Sequence, residues 1–195
     1  MIAGILLAAG ESRRFGRPKL LERWKGEPLV VRAARSLLRG GLKPVVVVIP
    51  AGPGIGAALD GLGAETIVNA EPGRGIGHSV SLGIEALPEV TSAALIGVAD
   101  QPFIDEQVIR QLCQAFVPGR IVVPRYGAHG GNPRVFDRRF FPELAALDGE
   151  IGGQAVAAAH PEMIVDCPFA ERVGWDVDGP EDFTRLLSQE PSGGL

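Results

Sequence analysis

Cysteine is nearly missing from this 195-residue chain: Cys113 and Cys167 are far apart and belong to no CxxC pair. They imply neither a disulfide framework nor a zinc cluster, and a reducing cytoplasm is the expected setting. Basic excess is also missing. Nineteen Lys and Arg face 23 Asp and Glu, for a formal charge of -4, so no general attraction to nucleic acid is expected. Long apolar runs are absent too, and no membrane partner is expected. The first run, from Ile2 to Ala9, is too short to span a bilayer and lacks the basic start of a secretory signal. It reads as a buried strand.

What is present points to an α/β protein. Hydrophobic residues make up 46% of the chain, enough for a substantial core, and the 27 glycines and 16 prolines call for many tight loops. The length favours one domain, expected over residues 1–190, with 191–195 as a disordered tail. Short apolar runs at Ile2–Ala8, Pro44–Ile49, Ala64–Val68, Ala93–Val98 and Ile121–Val123 read as strands buried on both faces. Between them, Leu29/Ala33/Leu37, Val80/Ile84/Leu87 and Val108/Leu112/Ala115 fall at helical spacing, with Asp105 at a helix start. This βαβ alternation calls for a mostly parallel sheet. Beyond residue 124 the pattern weakens. Tyr126–Pro133 reads as a glycine-rich loop, Phe140–Leu147 and Gly152–His160 as helices, Met163–Cys167 as an edge strand, and Pro180–Leu187 as a closing helix.

The segment from Leu6 to Lys19, LLAAGESRRFGRPK, follows the first strand, at the sheet edge where open parallel sheets bind ligands. Ala8, Ala9 and Gly10 let a ligand approach the main chain, and the amides beyond them can face phosphate oxygens. Arg14 and Lys19 can supply positive charge to a departing pyrophosphate. The spacing fits neither a Walker A loop nor a dinucleotide fingerprint. Taken alone, it is equally a basic surface turn.

The segment resembles the LAAGxSxRxGxxK signature of MobA-like nucleotidyltransferases. It agrees at Leu7, Ala8, Ala9, Gly10, Ser12, Arg14, Gly16 and Lys19, and the likeness extends to about Leu187. Within that family the chain looks most like the molybdenum cofactor cytidylyltransferases. This resemblance implies a Rossmann-like, mostly parallel three-layer fold of the nucleotide-diphospho-sugar transferase type. It also implies attack on the α-phosphate of a nucleoside triphosphate with Mg²⁺. CTP is the expected base, because relatives that transfer guanylyl groups tend to show Ala-Gly where this chain has Ala8-Ala9. The implied acceptor is a small phosphorylated molecule, a molybdopterin cofactor. A passing contact with a molybdoenzyme or cofactor-delivery protein is a further expectation.

Two acidic segments complete the expected site. Asp100, in the Asp100-Gln101-Pro102 triplet after the fourth strand, can hold Mg²⁺ through hard oxygen ligands. By itself it reads first as a turn or helix-capping aspartate. In Asp176-Val177-Asp178-Gly179-Pro180-Glu181-Asp182, alternation places Asp176 and Asp178 on one side of a short strand. Two such carboxylates need solvation, protonation or a cation, though Asp178 is also a natural N-cap. The resemblance makes Asp100 and Asp178 the metal ligands, with Asp176 as second choice, and Lys19, Arg14 and Asp100 the catalytic groups. Nucleotide contacts are expected at Leu7, Ala8, Ala9, Gly10, Ser12, Lys19, Asn69, Ser79 and Asp100. Ser79 is equally a plain helix cap, and His78 and His129 read first as surface histidines.

On the acceptor side the chain departs from the family pattern. Gly131-Asn132-Pro133 stands where a GHP-like triplet is common. Asp148-Gly149-Glu150-Ile151-Gly152-Gly153 stands for a GDxGAR-like stretch, with glutamate for aspartate and no arginine. Another base, a sugar or alcohol phosphate acceptor, or a nucleotide-binding regulatory or chaperone-like protein without turnover are the competing expectations.

Overall fold

A computed structural model describes residues 1–10, 12 and 14–188; the expected tail at 191–195 lies outside the described residues. In chain order the elements are β1 (Ile2–Leu7), β2 (Arg23–Trp24), β3 (Glu27–Pro28), α1 (Leu29–Arg39), β4 (Val45–Pro50), α2 (Ile55–Leu59), β5 (Glu65–Asn69), α3 (Ile76–Glu85) and β6 (Ala93–Val98). They continue with α4 (Glu106–Gln114), β7 (Ile121–Tyr126), β8 (His129–Gly130), β9 (Arg134–Asp137), α5 (Phe141–Ala145), α6 (Gly153–Ala159), β10 (Ile164–Phe169) and α7 (Pro180–Leu187). The main sheet runs β10-β7-β9-β6-β1-β4-β5, with β8 paired to β7. β1, β4, β5 and β6 are mutually parallel, as are β7 and β10. β9 runs antiparallel to both β6 and β7. The result is the Rossmann-like, mostly parallel fold with a single reversed strand in its interior.

Strand alternation sorts the core into two layers. Leu6, Val47 and Leu95 point to the face covered by α1, α2 and α4. Ile5, Val48 and Ile96 point to the face covered by α3, α5 and α6. Gly83 allows α3 to lie close on β1: a Cβ there would sit 2.6 Å from Ile5 Cγ2. A third cluster, with Phe15, Trp24, Val177, Phe183 and Leu186, ties the first loop to the 175–178 segment and α7.

Several expectations need correction. Tyr126–Pro133 is not a plain loop, because Arg125 and Tyr126 pair with Gly130 and His129 in a short hairpin. β9 is too short to stand out in sequence. Residues 175–178 form no strand. Val177 N donates to Asp100 O at 2.9 Å, an isolated bond without a ladder around it. Asp178 is not the N-cap of α7; Gly179 is. Leu87 lies beyond the end of α3, which stops at Glu85. Among the described residues no helix is long and apolar enough to cross a membrane.

Asp105 caps α4 as expected, accepting from Gln107 N at 2.9 Å and Val108 N at 3.0 Å. Asp105→Ala removes these acceptors at a cost of about 1 kcal/mol. Thermal melting is expected to drop by about 2–4 °C for a chain of this size, with the far-UV circular dichroism unchanged.

Candidate active site

The site is built at the carboxyl edge of β1 and β6. Ala8 N donates to Val48 O at 2.8 Å, and the Ala8 side chain enters the core, so it does not line the cleft. Ala9 and Gly10 do line it. A Cβ on Gly10 would meet no protein atom within 4 Å, which leaves that space to a ligand.

The spacing from Ser12 to Lys19 has a local explanation. Ser12 adopts φ +50°, and its carbonyl accepts from Phe15 N at 2.9 Å and Gly16 N at 3.2 Å. The left-handed turn at Gly16, φ +73°, suits a residue without Cβ. Ser12 Oγ then accepts from Lys19 N at 3.3 Å, and Phe15 anchors the loop edge-to-face on Phe183, ring centres 6.0 Å apart. The lysine backbone is therefore held from both sides.

Lys19 Nζ donates to Asp100 Oδ2 at 2.7 Å and to Val177 O at 2.8 Å, and lies 4.0 Å from Asp178 Oδ1. Arg14 is exposed, with Nη1 3.8 Å from Asp178 Oδ2. These four side chains, brought from three distant segments, border a cleft of about 550 Å³. Leu7, Ala9, Gly10, Ser12 and Ser79 border it as well. Asn69 does not. It is fully buried, with Nδ2 donating to Ser79 Oγ at 3.0 Å and Oδ1 accepting from Glu71 N at 2.9 Å. It positions Ser79 and the 71–75 loop rather than facing the cleft.

That loop is fastened to the 148–151 turn. Gly77 N donates to Gly149 O at 2.9 Å, and Arg74 pairs with Asp148 at 3.0 Å. A Cβ on Gly77 would lie 2.7 Å from the carbonyls of Asp148 and Ile151. Glu150 thereby reaches the nucleotide-side cleft, although its segment resembles an acceptor element.

Asp100 and Asp178 both approach the Lys19 ammonium, so their carboxylates surround one cationic position. Among the described residues no group of three or more His, Cys, Asp or Glu is gathered to hold a metal alone. Two hard oxygen donors fit a divalent cation that takes its remaining ligands from phosphate and water.

Asp176 faces the other side of this junction and lines a second cavity of about 1100 Å³, with His129 and the 130–132 backbone. The residue is exposed overall, yet its carboxyl is crowded. Burial pushes its pKa up to about 6, and Asp100 and Asp178 add to the rise, while Gln101 and Lys19 oppose it. Trp24, Gln101, Phe103, Arg134 and Trp175 also line this cavity. Sequence reasoning missed them all; the one available signal was Arg134 directly after Asn132-Pro133.

A mostly parallel sheet whose first loop, β6 end and 175–178 segment converge on one cleft is the arrangement in which open α/β sheets bind ligands. The chain belongs to the family of the MobA-like NTP transferase domain, whose model matches residues 4–164. It is 32% identical over 198 residues to a nicotine blue oxidoreductase of Paenarthrobacter nicotinovorans, covering 95% of this chain and 96% of that one. It is 32% identical over 134 residues to a probable molybdenum cofactor guanylyltransferase of Chloroflexus aggregans, covering 68% and 62%. Among solved structures, the Rv0371c protein of Mycobacterium tuberculosis H37Rv superposes with a TM-score of 0.83 at 25% identity, covering 96% and 97%. A manganese complex of that protein has a TM-score of 0.82 at 23% identity, covering 96% and 98%.

The raised Asp176 pKa carries a pH signature. The folded state favours the protonated carboxyl, so this contribution is complete below the ordinary value of 3.8 and is lost as pH rises through about 6. Asp176→Asn is expected to melt higher than the native chain at pH 8 without metal. The difference should vanish near pH 4. Parallel melting curves across this range check it.

Proposed function

We propose that the chain transfers CMP from CTP to a small phosphorylated acceptor of the molybdopterin type, in a cytoplasmic setting and with Mg²⁺. One observation carries this reading: Lys19, Asp100 and Asp178 converge at the end of the glycine-rich loop. Charge supports the metal. The described cleft residues include three carboxylates, of Asp100, Glu150 and Asp178, against two cations, Arg14 and Lys19. A bare triphosphate is repelled by that balance, and a divalent cation reverses it.

When bound on Asp100 and Asp178, Mg²⁺ supplies charge neutralisation at the phosphates. The β1 loop holds the triphosphate against its backbone. Lys19 exchanges Asp100 for phosphate oxygens, and Arg14 approaches from solvent. An acceptor oxygen attacks the α-phosphorus, and the bond to the bridging oxygen of the pyrophosphate breaks. Lys19 and Arg14 meet the negative charge that grows on the leaving group. A phosphate nucleophile is already ionised, so positioning and charge stabilisation suffice.

Base choice is assigned to Ala9, which is almost fully buried at the cleft wall. Its methyl narrows the base site relative to glycine. The guanylyltransferase name of a relative makes GTP the competing base. A second reading follows from the relative named an oxidoreductase, which matches nearly the whole chain: the chain carries a redox activity, and redox turnover without pyrophosphate release would favour it.

Steady-state pyrophosphate release tests the catalytic groups. Lys19→Ala is expected to lower kcat on the order of a hundredfold at saturating substrates. A rise in KM alone would make it a binding residue. Asp100→Asn and excess chelator should each remove most turnover.

Competitive titration tests the base. CTP is expected to bind more tightly than GTP, and Ala9→Gly to narrow or reverse the gap. One methyl gives about 1–3 kcal/mol of discrimination. Tighter GTP binding by the native chain would overturn the cytidylyl assignment.

A further inference from the structure

Four buried side-chain atoms lack a hydrogen-bond partner among the described residues: Trp24 Nε1, Thr91 Oγ1, Gln101 Oε1 and Arg134 Nε. Trp24, Gln101 and Arg134 all line the second cavity. Native interiors leave few such groups, and a cluster of them needs an explanation. Arg134 is the most costly. It is only 8% exposed, and no carboxylate pairs with it among the described residues. Nη1 donates to Asn132 Oδ1 at 2.7 Å. Nε is buried and unbonded. Nη2 has no protein partner among the described residues and is not among the fully buried orphans. Burial is the largest influence against its charge; of its neighbours Tyr126 favours that charge and Arg125 opposes it.

A buried guanidinium without a counter-ion costs far more than one hydrogen bond to a neutral amide returns. A protein that gains nothing from the charge does better with an apolar side chain there. The wider cavity points the same way. Among the described lining residues Arg134 and Arg172 stand beside Arg185, which Asp182 approaches at 3.8 Å, and face the carboxylates of Glu171 and Asp176; none of these carboxylates pairs with Arg134. Arg134 also lines a smaller cavity of about 210 Å³ that shares Leu7, Ile76, Val98 and Glu150 with the nucleotide cleft. The guanidinium thus stands where the two binding spaces meet.

We propose that Arg134 is the specificity-determining residue of the second cavity: it receives an oxyanion, phosphate or carboxylate, of the molecule bound there and rejects neutral analogues. Under the nucleotidyltransferase reading, on which this rests, that molecule is the acceptor, and Arg134 orients it towards the cleft. The planar fork suits a two-oxygen contact.

Both tryptophans of the chain, Trp24 and Trp175, line this cavity, so intrinsic tryptophan fluorescence reports on its occupancy. Phenyl phosphate and phenol are the probes, alike except for the anion. The native chain is expected to bind phenyl phosphate at least about tenfold more tightly, as a charge-assisted contact requires. Arg134→Met should abolish the preference, and Arg134→Lys should keep part of it. Arg134→Met should melt no lower than the native chain, because it removes an uncompensated buried charge. Equal binding of the two probes by the native chain overturns the proposal, as does an unchanged preference in Arg134→Met. A marked fall in Tm for Arg134→Met assigns the guanidinium a structural role and overturns it too. The thermal shift of the native chain with CTP and Mg²⁺ tests the nucleotide reading separately.

Discussion

The Lys19 ammonium is the knot on which the site depends. It joins Asp100 at the end of β6 to the carbonyl of Val177, and Val177 N returns a bond to Asp100 O. Three stretches separated by about 80 residues each are drawn together at one cation. Without that charge, Asp100 and Asp178 would lose the cation they share; the rise at Asp176 comes first from burial, with Asp100 and Asp178 adding to it and Lys19 opposing it. The aromatic cluster beneath, from Phe15 to Phe183, holds the same segments by burial. Electrostatics chooses the geometry, and apolar packing makes it persist.

The sheet places this knot beside two binding spaces. Parallel strands end together, so β1 and β6 bring a loop and a carboxylate to the same edge. β9 runs the other way, so its first residue, Arg134, starts where β6 finishes, paired with Ile96. A reversed strand is thus how the later part of the chain reaches the edge that the earlier part uses.

The parallel strands were legible in sequence because burial on both faces makes them continuous apolar runs; β1, β4, β5, β6 and β7 fall within a few residues of their expected limits. β9 was not legible. Its four residues begin and end on charges, and only Val135 and Phe136 enter the core layers. The alternation around Val177 suggested a strand, but a period of two does not make a ladder without a partner. Lys19, Asp100 and Asp178 were expected together only through the family resemblance, and the structure brings their side chains to one cleft. Ala8 and Asn69 were expected at the ligand and are in the interior, since strand alternation and a buried amide bond turn them inward. Trp24, Arg134 and Trp175 come together through tertiary packing that no local pattern announces.

The fastening of residues 71–77 to 148–151 has a consequence for how this protein can diversify. The first stretch precedes β6 and the second follows β9, yet Arg74, Gly77, Asp148 and Gly149 form one ledge over the cleft. The second cavity draws on other chain stretches, among them 126–134 and 171–176. Change there need not disturb the ledge, whereas drift in one ledge segment must be answered by compensating change in the other.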